Sequence, residues 1–250
     1  MDYSPQPYEG GLMLPPLPFD PVERAALMES IVMRGLARAY YKFRYQPFYG
    51  GVCTCNAVGC CLMCCYCWNY ARNENPLVKA DERFVEPSLV AKKLLDMFAK
   101  HSGSSMRISG CEPFLGVKST QHIANVLKCV RSQGFNGQFI FETNGVMIGH
   151  SPELLDLIKP FKPYIRLCIK ADNREDFERI TGAQGYGFEL QLRAANEIDA
   201  RNIPCDVAIM PQFVEESEIV LRTPYIDIET EKLKYYAGTK QRLKARGIEI

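Results

Sequence analysis

From residue 51 onward, short apolar runs alternate with longer segments whose apolar positions recur at helical spacing. Gly51–Val58, Met106–Ser109, Gln138–Glu142, Tyr164–Lys170, Pro204–Met210 and Tyr225–Ile228 read as strands. Gly, Pro or polar residues bound each run, as they bound buried parallel strands. Ser88–His101, Ser119–Gln133, Pro152–Ile158, Glu189–Ala200 and Glu215–Leu221 read as helices, and a closing helix is expected over Glu231–Ala245. Strands and helices in this order imply a parallel sheet with right-handed crossovers. An open barrel and a doubly wound sheet both satisfy the pattern. In either, the working residues belong at the C-terminal ends of the strands.

The N-terminal part has a different texture. Residues 1–19 are rich in Pro, Gly and Tyr and read as an extended arm. Asp20-Pro21-Val22-Glu23 then supplies an N-cap, a proline at the first helical position and a glutamate for a capping box. The helix it opens is expected to run to about Lys42. The organisation expected is an arm and helix over 1–50, a core over 51–230 and a C-terminal helix packed on the core over 231–250.

Composition narrows the class. The chain has 250 residues, 47% of them hydrophobic, enough for one well-buried core. Thirty Lys and Arg balance twenty-nine Asp and Glu, and a net charge of +1 gives no broad attraction to nucleic acid or anionic membrane. No apolar run approaches the roughly 20 residues of a spanning helix. The N-terminus has no basic start followed by an apolar run, so a cytoplasmic location is expected.

Eleven cysteines are the outlier, and seven of them lie between Cys53 and Cys67. Adjacent pairs such as Cys60-Cys61 and Cys64-Cys65 suit a disulfide framework poorly and thiolate ligation of iron or zinc well. Three registers compete. Cys61, Cys64 and Cys67 give the ferredoxin spacing, but no fourth cysteine followed by proline comes after them. Cys61 and Cys64 could begin a zinc site, but Cys111, Cys129, Cys168 and Cys205 are isolated and no second pair exists. Cys60, Cys64 and Cys67 give C-x3-C-x2-C with an aromatic residue, Tyr66, before the last cysteine. Cys53, Cys55, Cys61 and Cys65 ligate a second metal or pack as small apolar residues, and the packing role is favoured.

With that motif the chain resembles the radical S-adenosylmethionine (SAM) superfamily. The resemblance implies a partial (β/α)6 TIM-like barrel and a [4Fe–4S] cluster on Cys60, Cys64 and Cys67. Three thiolates leave one iron open for the amino and carboxylate groups of S-adenosyl-L-methionine. Further matches stand at expected strand ends. Ser109-Gly110-Cys111-Glu112-Pro113 is similar to the family's S-G-G-E-P, which cradles the cofactor's amino group; Cys111 stands for the second glycine. Glu142-Thr143-Asn144-Gly145 is close to D/E-T-N-G, and Cys168-Ile169-Lys170 resembles D-x-K with Cys168 for the aspartate. The resemblance therefore places Tyr66, Ser109, Gly110, Cys111, Glu112, Glu142, Thr143, Asn144, Lys170 and Met210 around the cofactor, with Met210 at the adenine edge. Alternation along the fourth core strand sets Arg166, Cys168 and Lys170 on one side and Ile165, Leu167 and Ile169 on the other. Asp206 and Glu229 are weaker substrate-reading candidates. His101, His122 and His150 are expected at the surface or at helix ends, and no catalytic side chain is assigned.

Glu175–Pro204 resembles the corresponding stretch of glycyl-radical-enzyme activating enzymes, in which I-T-G precedes a helix and a strand opening with I-P. The branch implies a partner glycyl-radical enzyme as substrate. A small molecule or peptide is the second reading, and an iron–sulfur electron-transfer or scaffold protein the third. No second cluster domain is evident, so the electron would come from a flavodoxin or ferredoxin.

Overall fold

The computed structural model describes residues 16–47, 50–76, 83–223 and 226–249. The expected arm over residues 1–15 lies outside them. The first helix, α1 (Pro21–Val32), begins as its sequence dictates: Asp20 Oδ1 accepts from the Val22 and Glu23 amides at 2.8 and 2.9 Å. It ends at Val32, well short of Lys42. Gly35, at φ +59°, turns the chain between β1 (Met33–Arg34) and β2 (Ala37–Gln46). Tyr40, Tyr41, Phe43 and Tyr45 favour a pleated, half-buried surface, and β2 lies antiparallel to β3 (Val52–Ala57). The helical reading lost to tertiary pairing.

The strand β4 (Arg83–Val85) also pairs with β2. Then β3, β5 (Ser105–Ser109), β6 (Gln138–Thr143), β7 (Tyr164–Cys168), β8 (Cys205–Ile209) and β9 (Asp227–Thr230) follow one another in space, all parallel. The described residues thus form a nine-stranded, mostly parallel sheet that curves without closing, the partial barrel expected. Its strand ends are spanned by α2 (Tyr70–Glu74), α3 (Pro87–His101), α4 (Val117–Ser132), α5 (Val146–His150), α6 (Leu154–Ile158), α7 (Arg174–Thr181), α8 (Tyr186–Ala200), α9 (Glu216–Val220) and α10 (Thr239–Ala245).

Three elements differ from expectation. The segment around Pro152–Ile158 holds two short helices, α5 starting at Val146 just after the T-N-G turn. The helix α7 was not expected; Asn173 caps it and Gly182, at φ +75°, ends it. The closing helix begins at Thr239, because Gly238 takes φ +75° immediately before it. His122 is the further correction: it is fully buried in α4, between the Tyr40 hydroxyl (2.8 Å) and the Leu36 carbonyl (2.6 Å). Burial pushes its pKa down to about 4, so it serves as a neutral core residue.

Period-two alternation assigns the two faces of the sheet. Cys53, Cys55, Met106, Ile108, Phe139, Phe141, Ile165, Leu167, Val207 and Ile209 are buried against the helices. Each large apolar side chain there contributes about 1.5–3 kcal/mol by leaving water. The concave face carries Thr54, Asn56, Arg107, Ser109, Glu142, Arg166 and Cys168 in register from strand to strand, with Val52, Ile140 and Ala208 as apolar exceptions.

Candidate active site

The cysteine loop leaves β3 at its C-terminal end. It begins at Gly59, whose φ of +93° and close neighbours, Val32 at 3.1 Å and Leu115 at 3.3 Å from an added Cβ, exclude a side chain. Backbone contacts from distant segments then hold it: the Met63 and Cys65 amides donate to the Thr181 and Ile180 carbonyls at 3.0 and 2.9 Å. Arg242 Nε donates to the Cys65 carbonyl at 2.8 Å. Arg24 reaches Met63 Sδ and the Asn73 carbonyl from α1. The I-T-G segment is thus a brace for the loop.

That bracing sorts the cysteines. Cys65 is buried with Leu62 and Met63, Cys61 is buried with its sulfur 3.3 Å from Asn144 Nδ2, and Cys53 and Cys55 fill the helix-facing side of β3. Cys60, Cys64 and Cys67 lie within electrostatic reach of one another. The Cys60 and Cys67 sulfurs meet nitrogen donors: the Leu62 amide to Cys60 (3.4 Å), the Asn69 amide to Cys67 (3.4 Å), Asn73 Nδ2 to Cys67 (3.7 Å) and Asn144 Nδ2 to Cys60 (3.7 Å). A bond with the Cys61 thiol lowers the pKa of Cys60 against the effect of burial, whereas burial pushes Cys67 up to about 11. Ligated iron would deprotonate these thiols outright. Among the described residues no three Cys, His, Asp or Glu groups close around a point as a single ion requires. Three neighbouring thiols, two of them with N–H donors, suit the thiolate ligation of an iron–sulfur cluster.

Beside the loop stands the turn after β5. Gly110 has φ +86°, and a Cβ there would lie 2.8 Å from Asn56 Nδ2 and 2.9 Å from the Tyr41 hydroxyl. Neither side chain has a hydrogen-bond partner among the described residues, although Asn56 is fully buried. Buried polar groups are rarely left so; together they form a polar cradle suited to the charged methionine end of a SAM molecule. The Gly110 carbonyl is taken by Asn69 Nδ2.

Glu112 has a different place from the one expected. Its carboxylate accepts from Thr143 Oγ1 (2.6 Å), the Asn144 amide (2.7 Å) and the Phe114 amide (3.0 Å), tying the ends of β5 and β6 together. Arg38, fully buried, grips the same loop through the Glu112 and Pro113 carbonyls at 2.7 and 2.6 Å and reaches Cys111 Sγ at 3.4 Å. Burial pushes Glu112 up to about 7 and Cys111 up to about 12. Thr143 lies on the helix side of β6 and serves this brace, while Asn144 faces the cysteines.

Glu142 points the other way, into the concave face. It accepts from Arg107 (2.7 Å) and from Ser109 Oγ. Arg166, also inward as expected, pairs with Glu229 (2.7 Å) and Glu231 (2.9 Å). The substrate end of the barrel is therefore an ion-paired polar floor. At the rim, Tyr66 stacks on Phe213 with centroids 4.9 Å apart, and Lys170 lies 5.9 Å over the Tyr66 ring. Met210 is half-buried, and its carbonyl accepts from the Phe213 and Val214 amides. Burial opposes the Lys170 charge, but Tyr66, Cys168 and Cys64 around it hold its pKa well above the lysine range. A cavity of about 360 Å³ between α7, the 211–215 turn and 247–249 is lined by Phe213 and Val214 and by Ile180, whose carbonyl braces the cysteine loop.

Sequence reasoning missed Asn56, Tyr41, Phe213 and Gln191. Gln191, buried in α8, donates to the Asn144 and Cys168 carbonyls and accepts from the Lys170 amide, stitching β6 to β7. The β-strand alternation pointed Asn56 inward; nothing local distinguished the other three.

The family model of the Radical SAM superfamily matches residues 57–234. No curated protein matches the sequence. Among solved structures the chain is similar to TYW1 with a lysine-pyruvate adduct bound, at TM-score 0.51 and 15% identity over 78% of this chain and 72% of that one. It is also similar to anSMEcpe with bound AdoMet and the Cp18Cys peptide, at TM-score 0.48 and 13% identity over 70% and 48% of the two chains. The likeness to TYW1 is one of fold. No helix among the described residues is long and apolar enough to cross a membrane.

Proposed function

The chain belongs to the radical SAM superfamily, an enzyme family that uses a [4Fe–4S] cluster and S-adenosylmethionine, and from that premise we propose which of its residues do the work. Cys60, Cys64 and Cys67 ligate the cluster, and the Gly110 turn with Asn56 and Tyr41 receives the methionine end of the cofactor. When bound, the pair supplies reductive cleavage of the sulfonium and a 5′-deoxyadenosyl radical that takes a hydrogen atom from the substrate. The observation that carries this reading is the convergence of three neighbouring thiols, those of Cys60 and Cys67 lined by N–H donors, beside two buried polar groups that lack a hydrogen-bond partner among the described residues.

The remaining residues position these groups. Glu112, Thr143 and Gln191 fix the strand ends, Arg242 and the Ile180–Thr181 carbonyls fix the loop, and Tyr66 on Phe213 screens the rim from water. Anaerobic reconstitution with iron and sulfide, followed by dithionite and SAM, tests the assignment. Uptake of about four irons and 5′-deoxyadenosine formation, both lost in Cys67→Ala, are expected; full product from Cys67→Ala would refute it.

The finer reading follows the likeness of Glu175–Pro204 to glycyl-radical-enzyme activating enzymes: the hydrogen comes from a backbone glycine of a partner protein. A small molecule or peptide is favoured instead by the Arg107–Glu142 and Arg166–Glu229–Glu231 floor, which offers paired charges to a compact polar substrate. Deuterium at glycine Cα of a candidate partner decides between them. Its transfer into 5′-deoxyadenosine supports the partner protein; unlabelled product formed at the ordinary rate supports the small substrate.

A further inference from the structure

We propose that the surface formed by residues 232–246 is the docking site of a small acidic protein that carries single electrons to the cluster. The proposal rests on the assignment of the cluster to Cys60, Cys64 and Cys67. Its first support is position. From α10, Arg242 reaches the back of the cysteine loop: Nε to the Cys65 carbonyl at 2.8 Å, Nη2 to the Cys67 carbonyl at 3.4 Å, with the guanidinium 4.3 Å over the Tyr70 ring. This helix thus touches the proposed ligand loop directly, through the carbonyls of Cys65 and Cys67.

Charge is the second support. Residues 232–246 contain Lys232, Lys234, Lys240, Arg242, Lys244 and Arg246 and no Asp or Glu, in a chain whose net charge is only +1. Lys232, Lys234, Lys240 and Lys244 are exposed, and none of them forms an ion pair among the described residues. Beside them Tyr235 and Tyr236 are about half exposed, at 50% and 46%, with Lys240 lying 5.3 Å over the Tyr235 ring. Aromatic anchors within a charged rim are what a transient protein interface uses, and a one-signed patch steers an oppositely charged partner over a Debye length of about 8–10 Å. Reductive cleavage of the sulfonium takes one electron, and a basic face touching the ligand loop gives its carrier a place to dock.

Stopped-flow reduction of the cluster-loaded chain by a reduced flavodoxin tests this, comparing the parent with Lys240→Glu/Lys244→Glu. The second-order rate constant is expected to fall at least about tenfold at low salt, and its salt dependence to flatten. Reduction by dithionite, a small ion that needs no docking surface, and the 5′-deoxyadenosine it supports are expected to be unchanged. An unaltered flavodoxin rate constant beside normal dithionite-driven turnover overturns the docking site and leaves the cluster assignment standing. Loss of retention of a single-stranded oligonucleotide with flavodoxin kinetics unaffected overturns it too, marking the patch as a nucleic-acid surface. A parent chain that yields no product with dithionite refutes the assignment beneath the proposal.

Discussion

Glu112 offers the sharpest test of how the strand ends are held, because it separates a carboxylate that braces the fold from one that holds the cofactor. It is 1% exposed and accepts three hydrogen bonds, yet burial still pushes its pKa from 4.5 up to about 7. Between those values the folded chain keeps a proton that the unfolded chain has released. Unfolding therefore releases a proton in this window, and stability falls as pH rises through it. The shift corresponds to ~3 kcal/mol in all. Glu112→Gln keeps the shape and cannot titrate, but it turns a donor toward the Asn144 amide, which costs about 1–3 kcal/mol. Urea unfolding of the metal-free parent and variant between pH 4.5 and 8 is the assay. The parent is expected to lose ~3 kcal/mol relative to the variant between about pH 4.5 and 7, with a constant difference above that range. A difference that stays flat across the window would refute the reasoning: the carboxylate would then titrate at its ordinary value and face water.

Three further outcomes are expected. Cys60→Ala should abolish iron uptake, while Cys61→Ala and Cys65→Ala should retain about four irons per chain; intact iron in Cys60→Ala would overturn the chosen register. Gly110→Ala forces a Cβ against Asn56 and Tyr41 in a left-handed conformation, costing about 2–5 kcal/mol. Calorimetry of the cluster-loaded variant should show SAM binding weakened at least about tenfold (1.4 kcal/mol), and parental affinity would remove the cradle. Gln191→Leu leaves the Asn144 and Cys168 carbonyls and the Lys170 amide without their partner. It should cost about 2–4 kcal/mol and lower Tm by roughly 5–15 °C; a Tm within a degree of the parent would show that the stitch is dispensable.

The parallel core was legible because buried strands and amphipathic helices alternate in simple periods, and Arg166, Cys168 and Lys170 fell on the expected side for the same reason. The segment after Val32 was not, since Ala37-Arg38-Ala39 suits a helix and only the edge of β3 makes it a strand. Among site residues, the cysteine register was read from spacing and the family resemblance, and iron uptake by the single variants tests it. The turn of Glu112 toward Thr143 could not be read, because the partner lies on another strand and alternation within one strand does not reveal it. Phe213 and Gln191 were hidden for the same reason: each acts through a contact set by how α8 and the β8 turn pack.

The bracing of the cysteine loop has a consequence in time. The three cysteines proposed as ligands occur early in the chain, but Ile180 and Thr181 lie more than a hundred residues later, and the Arg242 Nε that holds the Cys65 carbonyl is separated from it by 177 residues. At a synthesis rate of about 5–20 residues per second, roughly 10–35 s pass between the emergence of Cys65 and that of its last support. Until then the loop has no fixed shape in which to present three sulfurs together. On the proposed assignment, cluster loading is expected late in the life of the nascent chain, after thiols kept reduced and unligated through that interval have been brought together.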